Sequence, residues 1–383
     1  MKVIFGLPYI VENDIDEIVD SLNSGWLGKG PKTAQFERSF ANYIGISESN
    51  TVGLNSCTAG LFIALKGMGI GSGDEVIVPA MTFAATANVV ENIGAKTVFA
   101  DVFKNNGTII PEEIEKKITS KTKAVIPVHY CGYPCKMDEI CRIARKYKIA
   151  VIEDAAHSIE GIYNGKHLGL WGDAASFSFY ATKNITTGDG GMLLTKNKKL
   201  ADFARLYSTQ GLSADAWKRQ SSKKNKCYEV VIAGMKFNMI DLQAALGLHQ
   251  FEQIEKYYKI RLNQWKTYCS ELKNTGLIMP KLPENRNSRH SLHLFTILID
   301  KKNCGYSRDD FQKALTEKGI GTGIHFISLH NHKFYKQKYD LKKSDYPFSD
   351  YISENTLSLP IGPSLKNNEQ EYIIDTIKKC INN

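Results

Sequence analysis

Short β-rich apolar runs recur along the first half of this chain, each separated from the next by a stretch with helical spacing. They are TVGLN from Thr51, EVIVPA from Glu75, TVFADV from Thr97, AVIPVHY from Ala124, AVIEDA from Ala150 and GGMLLTKN from Gly190. Several are hydrophobic almost without alternation, which a strand tolerates only when both of its faces are covered. The pattern therefore predicts an α/β domain with a largely parallel sheet and helices on both sides. Between the runs, apolar residues at three- and four-residue spacing predict helices over 59–68, 84–93, 111–118 and 137–147.

Beyond about residue 240 the texture changes. IDLQAALGLHQFEQIEKYYKIRLNQWKTYCSEL reads as long helix with a break, and the alternation of strand and helix does not resume. HLFTILID, a helix over SRDDFQKALTEKG, the strand-like GTGIHF and a last helix after Asn367 predict a smaller α+β unit. For 383 residues two domains are expected, and the boundary is placed near residue 250, giving 1–250 and 251–383.

Composition narrows the function classes. The early run VIFGLPYIV is broken by Gly6 and Pro8, is too short to span a bilayer and lacks the pattern of a signal peptide, so a soluble cytoplasmic protein is expected, with no membrane partner. Cys131, Cys135 and Cys141 lack paired CxxC spacing and a matching histidine pair, so free thiols are expected in place of a metal site. The net charge of +9 is spread along helices, without aromatic interleaving or a groove-reading motif, which argues against nucleic acid. WKRQSSKKNK, Trp217 to Lys226, is the local exception and reads as a solvated loop or as a loop binding a phosphorylated small molecule.

In open α/β sheets ligands gather at the carboxyl ends of the strands, so the residues just after each run are the ones to inspect. After TVGLN, SCTAG opens a helix whose first N–H groups are either capped by a hydroxyl or free to hold a phosphate. After AVIE, Asp154 either caps the next helix or pairs with a cationic ring nitrogen, with His157 close behind. The alternation in SFSFY sets Ser176, Ser178 and Tyr180 on one face and Phe177 and Phe179 on the other. Lys183 follows. A lysine there is a surface residue, or a desolvated amine suited to a Schiff base. A phosphate cup, a ring-nitrogen carboxylate and a lysine at separate strand ends are together the parts needed to hold pyridoxal 5'-phosphate.

EDAAHS, SFSFYATKNITTGDGGM, PVHYCGYPCKMDEI, SGWLGKGPKTAQFE, FNMIDLQAALG and LSLPIGPSL resemble the motifs of DegT/StrS-type nucleotide-sugar aminotransferases, enzymes of fold type I that use pyridoxal 5'-phosphate. The resemblance runs almost from end to end. Two segments, RLYSTQGLSADAWKRQ and GIGTGIHFISLHNHKFYKQKY, are most similar to the transaminases acting at C4 of UDP-linked keto sugars, such as the UDP-4-amino-4-deoxy-L-arabinose enzyme. It implies that Lys183 carries the cofactor as a Schiff base, that Asp154 meets its ring nitrogen and that Thr58, Ala59 and Ser178 bind its phosphate. It further implies that Phe83 stacks on the ring, that His157 lies near the phenolic oxygen and that Asn238 reaches the cofactor phosphate of a partner subunit, hence a homodimer. Arg219 and His325 match positions that contact the nucleotide-sugar substrate, and L-glutamate with 2-oxoglutarate is the implied donor pair. Tyr180, Asp189 and Gln210 depart from the commonest residues of the family and leave the sugar open: a C3 or C4 reaction on a dTDP- or GDP-linked sugar is the alternative. A sugar dehydratase on the same scaffold is disfavoured because relatives of that kind replace the lysine with histidine, and a non-catalytic regulator because the sequence shows neither a helix-turn-helix nor an extended basic face.

Overall fold

A computed structural model of the chain describes residues 1–213 and 229–382. The expected strands appear as β1 (Thr51–Leu54), β2 (Glu75–Pro79), β3 (Lys96–Ala100), β4 (Thr122–Val125) and β5 (Ala150–Asp154). A short ribbon, β6 (Ile162–Tyr163) and β7 (Lys166–His167), precedes β8 (Ala174–Ser178) and β9 (Gly191–Thr195). Seven of these form one sheet in the order β1-β9-β8-β5-β4-β2-β3. β9 runs antiparallel to both β1 and β8, while β8, β5, β4, β2 and β3 pair in parallel. Reversing twice through β9 returns β1 to the direction of the other five. Six strands therefore deliver their carboxyl ends to one edge of the sheet, and β9 begins there.

Continuous hydrophobicity has the predicted cause. β2 and β9 are buried at every position, covered by helices on both faces. The helix Met137–Tyr147 turns Met137, Ile140, Ile143 and Ala144 inward, the three- and four-residue spacing read from sequence. On the other side Phe177 and Phe179 meet Phe36 and Phe40 edge to face, with centroids 5.1 to 5.8 Å apart. Each such fully buried ring contributes roughly 1.5 to 3 kcal/mol by leaving water.

Beyond the sheet, the long helical stretch is two helices, Asp241–Glu252 and Ile254–Glu271, interrupted at Gln253. β10 (Phe295–Leu298) pairs antiparallel with β11 (Thr356–Leu359), and Trp265, Tyr268, Phe295 and Phe311 lead a second core. The strand expected over GTGIHF is not formed. Residues 321–326 make only a single bridge, Gly323 to Ser358, and Gly323 packs so closely on the rings of Phe5 and His325 that a Cβ would strike them. From the opposite end of the chain, Val3 joins this core and pairs with Ile320. Among the described residues, no helix is long and apolar enough to cross a membrane, and no group of three or more His, Cys, Asp and Glu residues is placed to hold a metal ion.

Candidate active site

A cavity of about 580 Å³ opens at the carboxyl edge of the large sheet, within the roughly 300 to 1,000 Å³ usual for small-molecule sites. Its floor comes from the strand ends. The helix Cys57–Gly67 starts two residues after β1, and its N-terminus rests directly on β9: a Cβ at Gly191 would lie 2.3 Å from the Ser56 backbone. The Ser176 hydroxyl donates to the Cys57 carbonyl at 2.8 Å and fixes the same helix to β8. Ser56, Thr58 and Ser178 thus bring three hydroxyls to one end of the cavity, beside backbone N–H groups that have no helical acceptor. Ala59 does not line it; the residue is buried and its N–H is taken by the Ser56 side chain at 3.1 Å. At this position the capping reading describes the structure as it stands.

Asp154 ends β5 and is buried. Its Oδ2 accepts from the Thr86 hydroxyl at 2.8 Å and its Oδ1 from the Ala156 N–H at 3.2 Å. Burial drives its pKa above the ordinary carboxyl value, opposed by those two donors and by the positive charge of Lys183. Such a carboxylate is short of a cationic partner. Lys183, past the end of β8, lines the cavity opposite it, and desolvation pushes its pKa down to about 8 against the smaller pull of Cys57, Asp154 and Cys131. The lysine is therefore an amine poised near neutrality.

His157 is buried, and burial, then the charges of Lys183 and His325, hold its pKa well below the ordinary value. Its Nδ1 accepts the Cys131 N–H at 3.2 Å, so the neutral ring carries its proton on Nε2. Phe83, at the start of the helix Ala84–Asn92, is 61% exposed although apolar, because its ring stands free in the cavity facing Phe326 at 5.7 Å. His325 lines the cavity too, with Nδ1 2.8 Å from the Ser358 hydroxyl and a pKa lowered to about 4 by burial and by Lys183.

Of the other residues named from sequence, Asn238 lies outside this cavity, buried, its Nδ2 donating to the Met239 carbonyl at 2.8 Å and its Oδ1 without a partner among the described residues. Arg219 and the basic stretch Trp217 to Lys226 lie outside the described residues. Sequence reasoning missed the residues that close the cavity from above: Phe5, His293 and Phe326. His293 stands two residues before β10 and so at the amino end of a strand in the other sheet, where a search of carboxyl ends does not look. Thr86, one turn inside its helix, was equally unmarked, and only its contact with Asp154 reveals it.

These groups suit pyridoxal 5'-phosphate on their own chemistry: hydroxyls and helix N–H groups for a phosphate, a buried carboxylate short of a cation for a pyridinium, an amine of lowered pKa for an aldehyde, and an exposed ring for stacking. Comparison with known proteins agrees. Residues 8–378 match the DegT/DnrJ/EryC1/StrS aminotransferase family. The chain is 45% identical over 375 residues to the uncharacterized protein MJ1066 of Methanocaldococcus jannaschii, spanning 98% of this chain and 96% of that one. It is 42% identical over 381 residues to the spore coat polysaccharide biosynthesis protein SpsC of Bacillus subtilis, with 98% and 96% covered. The PLP form of Spr1654 from Streptococcus pneumoniae, assigned as a sugar aminotransferase, superposes with a TM-score of 0.91 at 30% identity, over 100% of this chain and 99% of that one. Its PMP form gives 0.92 at the same identity and coverage. The chain belongs to the DegT/DnrJ/EryC1/StrS family, and is a pyridoxal 5'-phosphate-dependent sugar aminotransferase of fold type I.

Proposed function

We propose that this enzyme moves an amino group from L-glutamate to the keto group of a nucleotide-linked sugar, at C4 of a UDP-linked 4-keto sugar, in the cytoplasmic synthesis of a surface polysaccharide. One observation carries the reading: a lysine of lowered pKa and a buried carboxylate with no ion pair among the described residues share a cavity also lined by the Ser56, Thr58 and Ser178 hydroxyls. The relation to SpsC, a spore coat polysaccharide biosynthesis protein, supports the polysaccharide product.

When bound, pyridoxal 5'-phosphate supplies an electron-withdrawing ring that takes up charge from the substrate carbon. Every other task falls to the chain. Thr58 and Ser178 hold the phosphate with the first N–H groups of the helix Cys57–Gly67, where the helix dipole favours an anion. Asp154, steadied by Thr86, keeps the ring nitrogen protonated through a charge-assisted hydrogen bond. His157 turns its Nε2–H inward as a donor for the phenolic oxygen, since its other nitrogen is occupied by Cys131. Phe83, whose ring stands in the cavity, would stack on the cofactor ring. Lys183 would hold the aldehyde carbon, and its Nζ, as a free amine, is the base placed to move a proton at the substrate carbon. An amine whose pKa lies near 8 does both near neutral pH.

Two features support a homodimer. Asn238 has a buried oxygen without a partner among the described residues, consistent with a group completed by a second copy. Ile15, Val19 and Leu22, on one stripe of the helix Glu12–Asn23, are 53%, 45% and 52% exposed, an apolar face of the kind subunits bury. Arg219 and His325 are the proposed substrate contacts. The test is incubation with L-glutamate and a panel of UDP-, dTDP- and GDP-linked 3- and 4-keto sugars, followed by mass spectrometry of the products. Amination of a UDP-linked 4-keto sugar above the others supports the proposal; amination of a different sugar replaces that part of it.

A further inference from the structure

Lys183 has a second neighbour that the reading above leaves unused. His293 Nε2 lies 3.5 Å from Lys183 Nζ, a long contact of the sort that tightens when a site is filled. The ring's proton is fixed by neighbours whose hydrogen-bonding roles have one solution. The Ser291 carbonyl accepts only, and it lies 2.9 Å from Asn184 Nδ2. Glu160 Oε2 lies 2.6 Å from the same Nδ2, and Glu160 is ion-paired to Arg261, both being buried. Two acceptors on one side of the amide fix its NH₂ there, so Oδ1 is the atom facing His293 Nδ1 at 3.0 Å. An amide oxygen accepts. Nδ1 must then carry the proton, and Nε2 presents a lone pair to the lysine.

We propose that Asn184 and His293 are positioning residues for Lys183: the amide holds the imidazole in its Nδ1–H form, and the ring accepts one N–H of the lysine. This rests on Lys183 being the reacting amine. With one N–H taken by His293, the nitrogen's own lone pair is left for the reacting carbon. In the other tautomer Nε2–H would donate into that lone pair and quench it as nucleophile and base. A cationic ring would do the same, and burial opposes it, as do the charges of Lys183, His157, His325 and Arg261 around the ring. The His157 ring, tilted 35° to it with centroids 4.5 Å apart, holds the opposite tautomer, because its Nδ1 meets a donor where that of His293 meets an acceptor. Two adjacent imidazoles thus present opposite faces to the cavity, one donating and one accepting.

The direct test is ¹⁵N NMR of the full-length, cofactor-free protein labelled at histidine, with His293 assigned from the signals lost in His293→Gln. Between about pH 7 and 9 the His293 ring should be neutral with an unprotonated Nε2, and Asn184→Leu should bring in the other tautomer. In the holoenzyme, His293→Phe and Asn184→Leu should each lower kcat of the glutamate half-reaction about 10- to 100-fold with KM within about twofold, the loss of one hydrogen bond to a charged or reacting group. His293→Gln, which offers an amide oxygen at a similar reach, should recover most of that rate. A His293 protonated on Nε2, or an unchanged kcat in His293→Phe, overturns the proposal. Borohydride reduction of each variant separates the two claims. Label on Lys183 leaves the lysine assignment intact whatever happens to His293, whereas label elsewhere removes that assignment and this inference with it.

Discussion

The floor and the roof of the cavity are built in different ways. On the floor, Asp154 and Ser178 end strands of one sheet and Ser56 and Lys183 follow strand ends closely, a placement set by strand direction. The roof draws Phe5 from the start of the chain, His293 from the approach to β10, and His325 with Phe326 from a segment without regular structure. Groups whose charge decides the chemistry stand on the side built from that sheet. Those that shape the space and orient neighbours stand on the side assembled from distant pieces. If that division is sound, damage to the floor should abolish chemistry, and damage to the roof should slow it or change its substrate.

The largest effect should come from Lys183→Ala. Turnover should fall by about 10³-fold or more, and borohydride should leave no covalent cofactor, while circular dichroism stays unchanged. Turnover comparable to the parent enzyme would break the comparison outright. Asp154→Asn should follow, with kcat down by about 100-fold or more as the charge at the ring nitrogen is lost; a loss under about threefold would show that this part of the floor is not electrostatic in its action. Ser178→Ala should cost about 1.5 to 3 kcal/mol in cofactor affinity, measured by equilibrium dialysis, with kcat of the saturated enzyme little changed. Unchanged affinity would remove Ser178 from the phosphate site.

The smallest effect is a pH dependence of the cofactor-free protein. The folded pKa of Lys183, about 8, lies below its ordinary value of 10.5, so folding releases a proton between those two limits. Relative to Lys183→Met, the parent carries its full penalty below pH 8 and loses it as the pH rises from about 8 toward 10.5. Denaturant titrations of both proteins across that window should show the difference closing. A constant difference would mean that the amine is better solvated than its surroundings suggest.

The floor was also the legible part. Asp154, Ser178 and Lys183 could be named because apolar runs marked the strands and a parallel sheet gathers its carboxyl ends on one edge. The packing of Phe177 and Phe179 opposite Ser178 followed from simple alternation. Ala59 was less clear, since a helix start reads the same whether its N–H groups wait for a ligand or are capped, and only the contact with Ser56 separates the two. The roof gave no such periodic signal. His293 is one histidine ahead of a β-rich run, and its role depends on Asn184, which is remote in sequence and reached only through the fold. GTGIHF reads as a strand, yet it makes a single bridge, to Ser358, and packs instead against Phe5 from the far end of the sequence. Contacts between distant segments carry no local pattern for a reader of sequence to find.

The pairing of Val3 with Ile320 bears on how the molecule comes into being. Val3 can take its place only once a segment more than three hundred residues further along, and the core built around it, is there to receive it. Such long-range closure is slow by topology. The large sheet can therefore stand before Phe5 and Gly6 seal one side of the cavity. The cavity is thus completed by a contact of very long sequence separation, and its Phe5 side depends on a closure the large sheet does not need.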